Sequence, residues 1–448
     1  MTLLHLLCIY LVFGMSQFLF QTPAGYLFDY TDKKVHWLST AAIATTALTI
    51  FTAMFAAPEG QNLGLMVFVK FIQGAVTSFI PPGLNSITQG IVTAAGMTQQ
   101  VAVNEMMNHL GTAVIVLCGS LLGLFLYPDL ALLFIVSPIA CAGVIYFLSR
   151  INPDDIDHDE ARGLTKDTDA KPEDYKPPVD ADGFQKDASK APPSHMPSFN
   201  MNTVAGSSKA ADHKADSPLH VLRDPILLTF IVICFLFYTS NGTVLPLVMQ
   251  TLALGSGREG ILLSGLCIIV AQIFMVVSAK ICGTYSGKYG RKGIFLIGLG
   301  SVPIRCLILT LLLQLRGDVR EDGGSPFLNM LILATQILDG VGAGVFGTMY
   351  ILVTSDISAG TGRFSMTLGL TTAAMSIGGT VSGYVGQALA EDLGYQQAFL
   401  ILMVMSCIPL LAYHFFMPET LSSIAKTNDK EIDTAEEPVS TENYKELS

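Results

Sequence analysis

Glu105 and His109 stand four residues apart in an apolar stretch that runs over 102–126. On a helix that spacing puts both side chains on one face, within reach of each other. A carboxylate beside an imidazole that titrates near neutrality can exchange a proton with it. The same residues can equally form a structural hydrogen-bond cluster, with Asn104 and Asn108 on the adjoining face. Asp339 is the leading single candidate, because it lies near the middle of another apolar stretch. Burying a charge there costs ~2.5–3.5 kcal/mol on insertion scales, so it needs a reason. Binding a cation or taking up a proton would be one. Lys70 lies one helical turn from Gln73 and could hold an anionic group or pair with a carboxylate. Arg305 reads as an ion-pair partner or a snorkelling side chain before a ligand group.

Other chemistry is excluded. The 8 Cys show no metal or redox spacing, so no metal and no cofactor is expected. The loop Gly287–Lys288–Tyr289–Gly290–Arg291–Lys292 lacks the following Ser or Thr and the glycine spacing of a phosphate loop. No Ser-His-Asp order is convincing, and an enzyme is not expected. Basic residues are few and form no aromatic-basic patch, which argues against nucleic-acid binding.

The elements that must carry these residues are membrane helices. Apolar stretches run over 3–21, 38–57, 64–86, 102–126, 129–148, 226–250, 260–281, 293–314, 328–353, 366–388 and 397–416. Each exceeds or approaches the ~20 residues that cross a lipid bilayer as helix. Mean hydropathy is +0.52, and 51% hydrophobic residues stand against 14% charged. The fold class is all-α, a polytopic membrane bundle. The first stretch lacks a basic leader and reads as a retained helix. The net charge of −11 gathers in a central insertion and the tail. Residues 151–219 and 421–448 are acidic and hold no apolar run, so they are expected to be disordered. Lys33, Lys34, Lys288, Arg291, Lys292 and Arg363 flank alternate loops, which puts those loops, the 151–219 linker and the C-terminus in the cytoplasm. An odd number of spans then leaves the N-terminus outside.

The blocks 1–150 and 220–420 echo each other. The loop 25–34 corresponds to 283–292, Ile72–Gln73–Gly74 to Leu338–Asp339–Gly340, and Gly119–Ser120–Leu121–Leu122–Gly123 to Gly379–Thr380–Val381–Ser382–Gly383. Matches in one order at nearly one offset indicate a parallel repeat. The alignment gives five helices before the linker and six after it. The expected full architecture is six plus six, beginning here at its second helix. The paired glycines Gly119, Gly123, Gly379 and Gly383 are expected to bring helices close. Pro81–Pro82–Gly83 should break its helix, and Asn241–Gly242–Thr243 is a sequon too deep to be reached.

With these loops the chain resembles the major facilitator superfamily of secondary transporters, over about 3–150 and 219–420. The first loop keeps Gly25, Asp29, Lys33 and Lys34 of the family pattern, with Asp32 in place of a glycine. The second keeps Gly283, Gly290, Arg291 and Lys292, with Gly287 in place of the acid. Within the superfamily it is similar to a largely bacterial group of permeases, through Gln21–Thr22–Pro23–Ala24–Gly25, Asn104–Glu105–Met106–Met107–Asn108–His109, Val302–Pro303–Ile304–Arg305 and Gly360–Thr361–Gly362–Arg363–Phe364; it departs from them at Val103 and Ser365.

The resemblance implies two bundles with a solute pathway between them, worked by alternating access. It implies that Asp29, with Lys33 and Lys34, latches the cytoplasmic side. It places Gln73 and Asp339 on cavity-lining helices. It puts Asn241, Pro246 and Gln250 on a pathway helix, which Pro246 bends. The partners expected are a small-molecule solute, protons and lipid, with the monomer as the working unit. Proton-coupled efflux is the leading expectation. A facilitative carrier and a transport-inactive receptor or scaffold are the rivals.

Overall fold

A computed structural model describes residues 3–55, 62–126, 134–164, 215–253, 259–316 and 326–421. All regular structure among them is helical, in keeping with the fold class read from the sequence. The first half comprises α1 (Leu3–Tyr30), α2 (Lys34–Phe55), α3 (Leu63–Thr77), α4 (Ile80–Leu126) and α5 (Val136–Leu148). Two short helices follow, α6 (His158–Ala161) and α7 (Pro218–Val221). The second half comprises α8 (Pro225–Asn241), α9 (Val244–Ala253), α10 (Glu259–Tyr289), α11 (Arg291–Arg316), α12 (Pro326–Ala334), α13 (Gln336–Ser358), α14 (Phe364–Leu393) and α15 (Tyr395–Phe416).

Proline places two of the breaks. It cannot donate to the carbonyl four residues back, and its ring crowds that carbonyl. For Pro246 that residue is Gly242, where α8 gives way to α9. At this junction the Thr243 N–H donates to Ser382 Oγ at 2.9 Å. For Pro82 it is Ser78, between α3 and α4. A sharper turn divides α4 at Thr93, whose φ of 59° with ψ of 177° is rarely adopted by a residue with a side chain.

The halves meet through two antiparallel pairs, α1 on α14 and α10 on the second arm of α4. The repeat is visible in what its glycines touch. A Cβ on Gly25 would lie 2.1 Å from the Ser365 carbonyl oxygen of α14, and one on Gly283 2.5 Å from Ala102 Cβ of α4. Gly74 admits Phe13 and Ser16 of α1, as Gly340 admits Phe274 and Ala271 of α10. The GxxxG glycines behave otherwise: Gly123 is buried, but Gly119 and Gly383 meet nothing within 4 Å, and Gly379 only Tyr238 at 3.7 Å. Close approach in these helices falls instead at Gly378, against the Phe235 carbonyl, and at Gly386, against Thr243.

Inside the second half, Phe237 stacks on Phe346 at 3.9 Å, and Phe295 meets Tyr413 edge-on at 4.6 Å. Such pairs add to area burial and stiffen that half. The ends of the linker are folded, unlike the disorder its composition implied. Residues 151–164 bury Ile156, Ala161 and Leu164, which offsets the entropy of ordering them. Residues 165–214 and 422–448, where the rest of the disorder was expected, lie outside the described residues.

Candidate functional site: a polar seam between the halves

At the linker end the seam begins with Asp29, in the last turn of α1 beyond its apolar part. Its carboxylate accepts the N–H groups of Ser365 at 2.9 Å and Met366 at 3.0 Å. These are orphan donors at the positive end of α14, so first-half charge caps a second-half helix. Burial pushes the Asp29 carboxyl up to about 6, against the opposing pull of those bonds. Lys34 is buried and donates to the Phe28 carbonyl of its own half. Lys33 is exposed.

The repeat-equivalent loop closes the same end. Gly290, at φ +92°, lets the chain turn into α11. Arg291 donates across the seam to Thr98 Oγ1 at 2.9 Å, and within its own half to Asp356 at 3.0 Å and Ser286 at 2.8 Å. Glu419 accepts the N–H groups of Arg291 at 2.7 Å and Lys292 at 3.1 Å, a cap the sequence reading missed. Arg363 lies over the rings of Tyr26 and Tyr30, 5.2 and 4.8 Å from their centroids.

The folded start of the linker straps both halves. Toward the first half, Asp157 N–H donates to the Gly90 carbonyl at 2.9 Å and Ser86 Oγ to the Ala161 carbonyl at 3.2 Å. Toward the second, the Gly163 carbonyl accepts Gly360 N–H at 2.7 Å and the Arg162 carbonyl accepts Phe364 N–H at 3.0 Å.

Deeper in the seam, Ser355 Oγ donates to Gln89 Oε1 at 3.5 Å and Ser376 Oγ to Gln21 Oε1 at 3.2 Å. The Glu105–His109 pair lies on the second arm of α4. Glu105 Oε2 lies 3.7 Å from His109 Nε2 and accepts from Asn108 Nδ2 at 3.4 Å. His109 Nδ1 reaches Gln272 Oε1 on α10 at 2.7 Å. The carboxylate faces Gly347 of α13, with Tyr238 of α8 and Tyr350 of α13 in electrostatic range. Asn104 turns away, donating to Thr88 at 3.1 Å and accepting from Gln100 at 2.9 Å. Toward the opposite end, a cavity of about 430 Å³ opens between α4, α9 and α10, lined by Val116, Ser120, Met249, Ser264 and Gly265.

Other expected pathway residues are engaged inside one half. Asp339 pairs with Arg305 Nη1, and Arg305 Nη2 donates to Gln336 Oε1 at 2.8 Å. Arg305 is fully buried. At the equivalent place in the first half, Lys70 donates to Gln73 at 2.7 Å and Gln73 to Thr49 at 2.8 Å. Gln250 joins Gln387 at 3.2 Å and Tyr395 at 3.3 Å. Asn241 keeps a buried Oδ1 with no hydrogen-bond partner. Gln272 was legible only as a polar letter in an apolar stretch and Gln21 only as part of a resemblance motif, and nothing in the sequence said that they face the other half.

A sequence profile of the Major Facilitator Superfamily matches residues 2–317. The chain belongs to that superfamily. Two uncharacterized MFS-type transporters of Mycobacterium tuberculosis, from strains CDC 1551 / Oshkosh and ATCC 25618 / H37Rv, are 29% identical over 417 residues. The match covers 93% of this chain and 85% of each relative. Among solved structures, the MFS proton:xylose symporter XylE bound to 6-bromo-6-deoxy-D-glucose aligns with a TM-score of 0.61 at 12% identity, over 94% of this chain and 87% of that one. A mutant of the nucleoside transporter NupG aligns at 0.56 and 14% identity, over 92% and 90%. At such identities the likeness is one of fold. This superfamily member is a multi-pass membrane protein and a secondary transporter, not an enzyme.

Proposed function

We propose that the protein moves a small solute by alternating access of its two halves, coupled to protons through Glu105 and His109, with the linker end facing the cytoplasm. The orientation rests on Lys33, Lys34, Arg291, Lys292 and Arg363, which all lie at that end. The observation that carries the coupling is the hydrogen bond from His109 to Gln272, because it ties a titratable pair in one half to the other half. Among the described residues no Lys or Arg pairs with Glu105. Its charge is therefore balanced by a proton rather than by a fixed cation. Asp29, Arg291 and the linker strap act as the cytoplasmic gate, and the cavity beside α9 is the start of the opposite opening. Asp339 and Gln73 are structural in this reading. The named activity of one fold neighbour, a proton:xylose symporter, is compatible with proton coupling on this scaffold.

The test is solute movement into liposomes holding the purified full-length protein, with xylose and a nucleoside as first probes, with and without an imposed pH gradient. Faster movement along the gradient is expected for the transported probe. Equal rates in both conditions would leave a facilitative carrier.

A further inference from the structure

We infer that Gln272 is the positioning residue of the proton site: it fixes the tautomer of His109 in the state shown here, and rocking of the halves releases that hold. The inference rests on proton coupling at Glu105–His109 and adds the element that makes the site's proton affinity depend on conformation.

The chemistry follows from which atoms can donate. An amide carbonyl only accepts, so at 2.7 Å from Gln272 Oε1 the His109 Nδ1 carries the hydrogen. In the neutral ring Nε2 then holds a lone pair, and it is buried with no hydrogen-bond partner. That lone pair points toward Glu105 Oε2 at 3.7 Å. A buried ring acceptor and a part-buried carboxylate facing each other repel unless one proton lies between them. The arrangement therefore binds one proton, carried either by Nε2 or by the carboxylate, and it disfavours an empty pair. Asn108 contributes a donor to Glu105 at 3.4 Å from its own helix. From the other half, Tyr238, Tyr350 and Gln272 face the pair, and no cation among the described residues supplies a substitute charge.

The position of Gln272 in the packing makes this hold conditional. Helices α4 and α10 run antiparallel, with Ala102 against Gly283 toward the linker end and Ser120 against Gly265 toward the other. His109 and Gln272 meet between these two contacts. Opening either end tilts α4 on α10 and changes this bond. Without the carbonyl, the ring is free to place its hydrogen on Nε2 and donate to the carboxylate. The pair then no longer needs the extra proton.

The test uses the full chain in lipid nanodiscs with ¹⁵N-labelled histidine, so no solute is required. The His109 signal is assigned by its disappearance in His109→Gln. The wild type is expected to show a single Nδ1–H tautomer when neutral. Gln272→Leu should give mixed tautomers and lower the titration midpoint of the pair by about one pH unit, the scale of one lost hydrogen bond. Gln272→Glu keeps the acceptor, so it should restore the single tautomer and move the midpoint upward. A Gln272→Leu protein with unchanged tautomer and midpoint overturns the inference. So does a Gln272→Glu protein that leaves the midpoint in place, which keeps the test sharp if the leucine variant misfolds. The underlying proton-coupling reading fails by a different result: Glu105→Gln leaving the response of transport to a pH gradient intact.

Discussion

Two charged clusters along the membrane helices differ in whose side chains complete them. Arg305, Asp339 and Gln336 all belong to the second half, and rigid-body motion of that half carries all three together. Glu105 and His109 belong to the first half but are completed by Gln272 of the second. A charge whose partners travel with it is blind to the rocking of the halves. A charge held from the other body is reset at every stroke. The contrast explains why depth in the membrane is a weak guide to a transport site. Both clusters lie within the membrane helices, and in the proposed mechanism only the one completed across the seam registers which side is open. The pair Gln73–Thr49 repeats the first pattern in the first half.

The largest effect should come from splitting the self-contained cluster. Arg305→Leu leaves the Asp339 carboxylate buried without its partner, a loss of about 3–5 kcal/mol. Thermal unfolding in detergent would read it. Replacing both residues, Arg305→Met with Asp339→Leu, should recover most of that loss. A double variant that folds well yet carries no solute would place Asp339 in the pathway and end the comparison. Next in size is Gly25→Ala, whose Cβ would meet the Ser365 carbonyl. The clash involves backbone, so α1 must leave α14, at about 1–3 kcal/mol against the closed linker end. Thiol labelling of a cysteine placed at Met366 should speed up; unchanged labelling would mean that the contact yields without opening.

Glu105→Gln should do the reverse of the arginine change. Stability should shift by less than about 1 kcal/mol, since no fixed ion pair is broken. Gradient-driven transport should be lost. An equally large drop in stability would make this pair structural too.

The smallest effect concerns pH at the gate. Closure raises the Asp29 carboxyl from 3.8 to about 6, so the closed end holds more protons than an open end that exposes the group. Its contribution to closure is fully present below 3.8 and is lost as pH rises through about 6. Labelling at the linker end should rise over that window in the wild type and stay flat in Asp29→Asn.

Much of this was legible in the sequence, and for stated reasons. Helix positions follow from runs of apolar residues long enough for a bilayer, and the repeat from three matched segments. Breaks near Pro82 and Pro246 follow from a missing donor. What the sequence left open was direction around each helix axis. The residues of an all-apolar span carry almost no amphipathic signal, because lipid and protein interior reward the same side chains. Thus Asp339 stood ahead of Glu105 as a candidate until their neighbours were known. The linker failed for another reason. Its composition over 151–219 is that of disorder, and three buried side chains, Ile156, Ala161 and Leu164, suffice to fold one end of it. A sum over the whole segment hides so local an anchor.

The first turn of α14 has one further consequence. Its opening amides are satisfied from outside the second half, Phe364 by the linker and Ser365 and Met366 by Asp29. When that end parts, these three hydrogens lose their acceptors together and meet water. Deuterium uptake there becomes a ligand-free gauge of how often the empty carrier breathes.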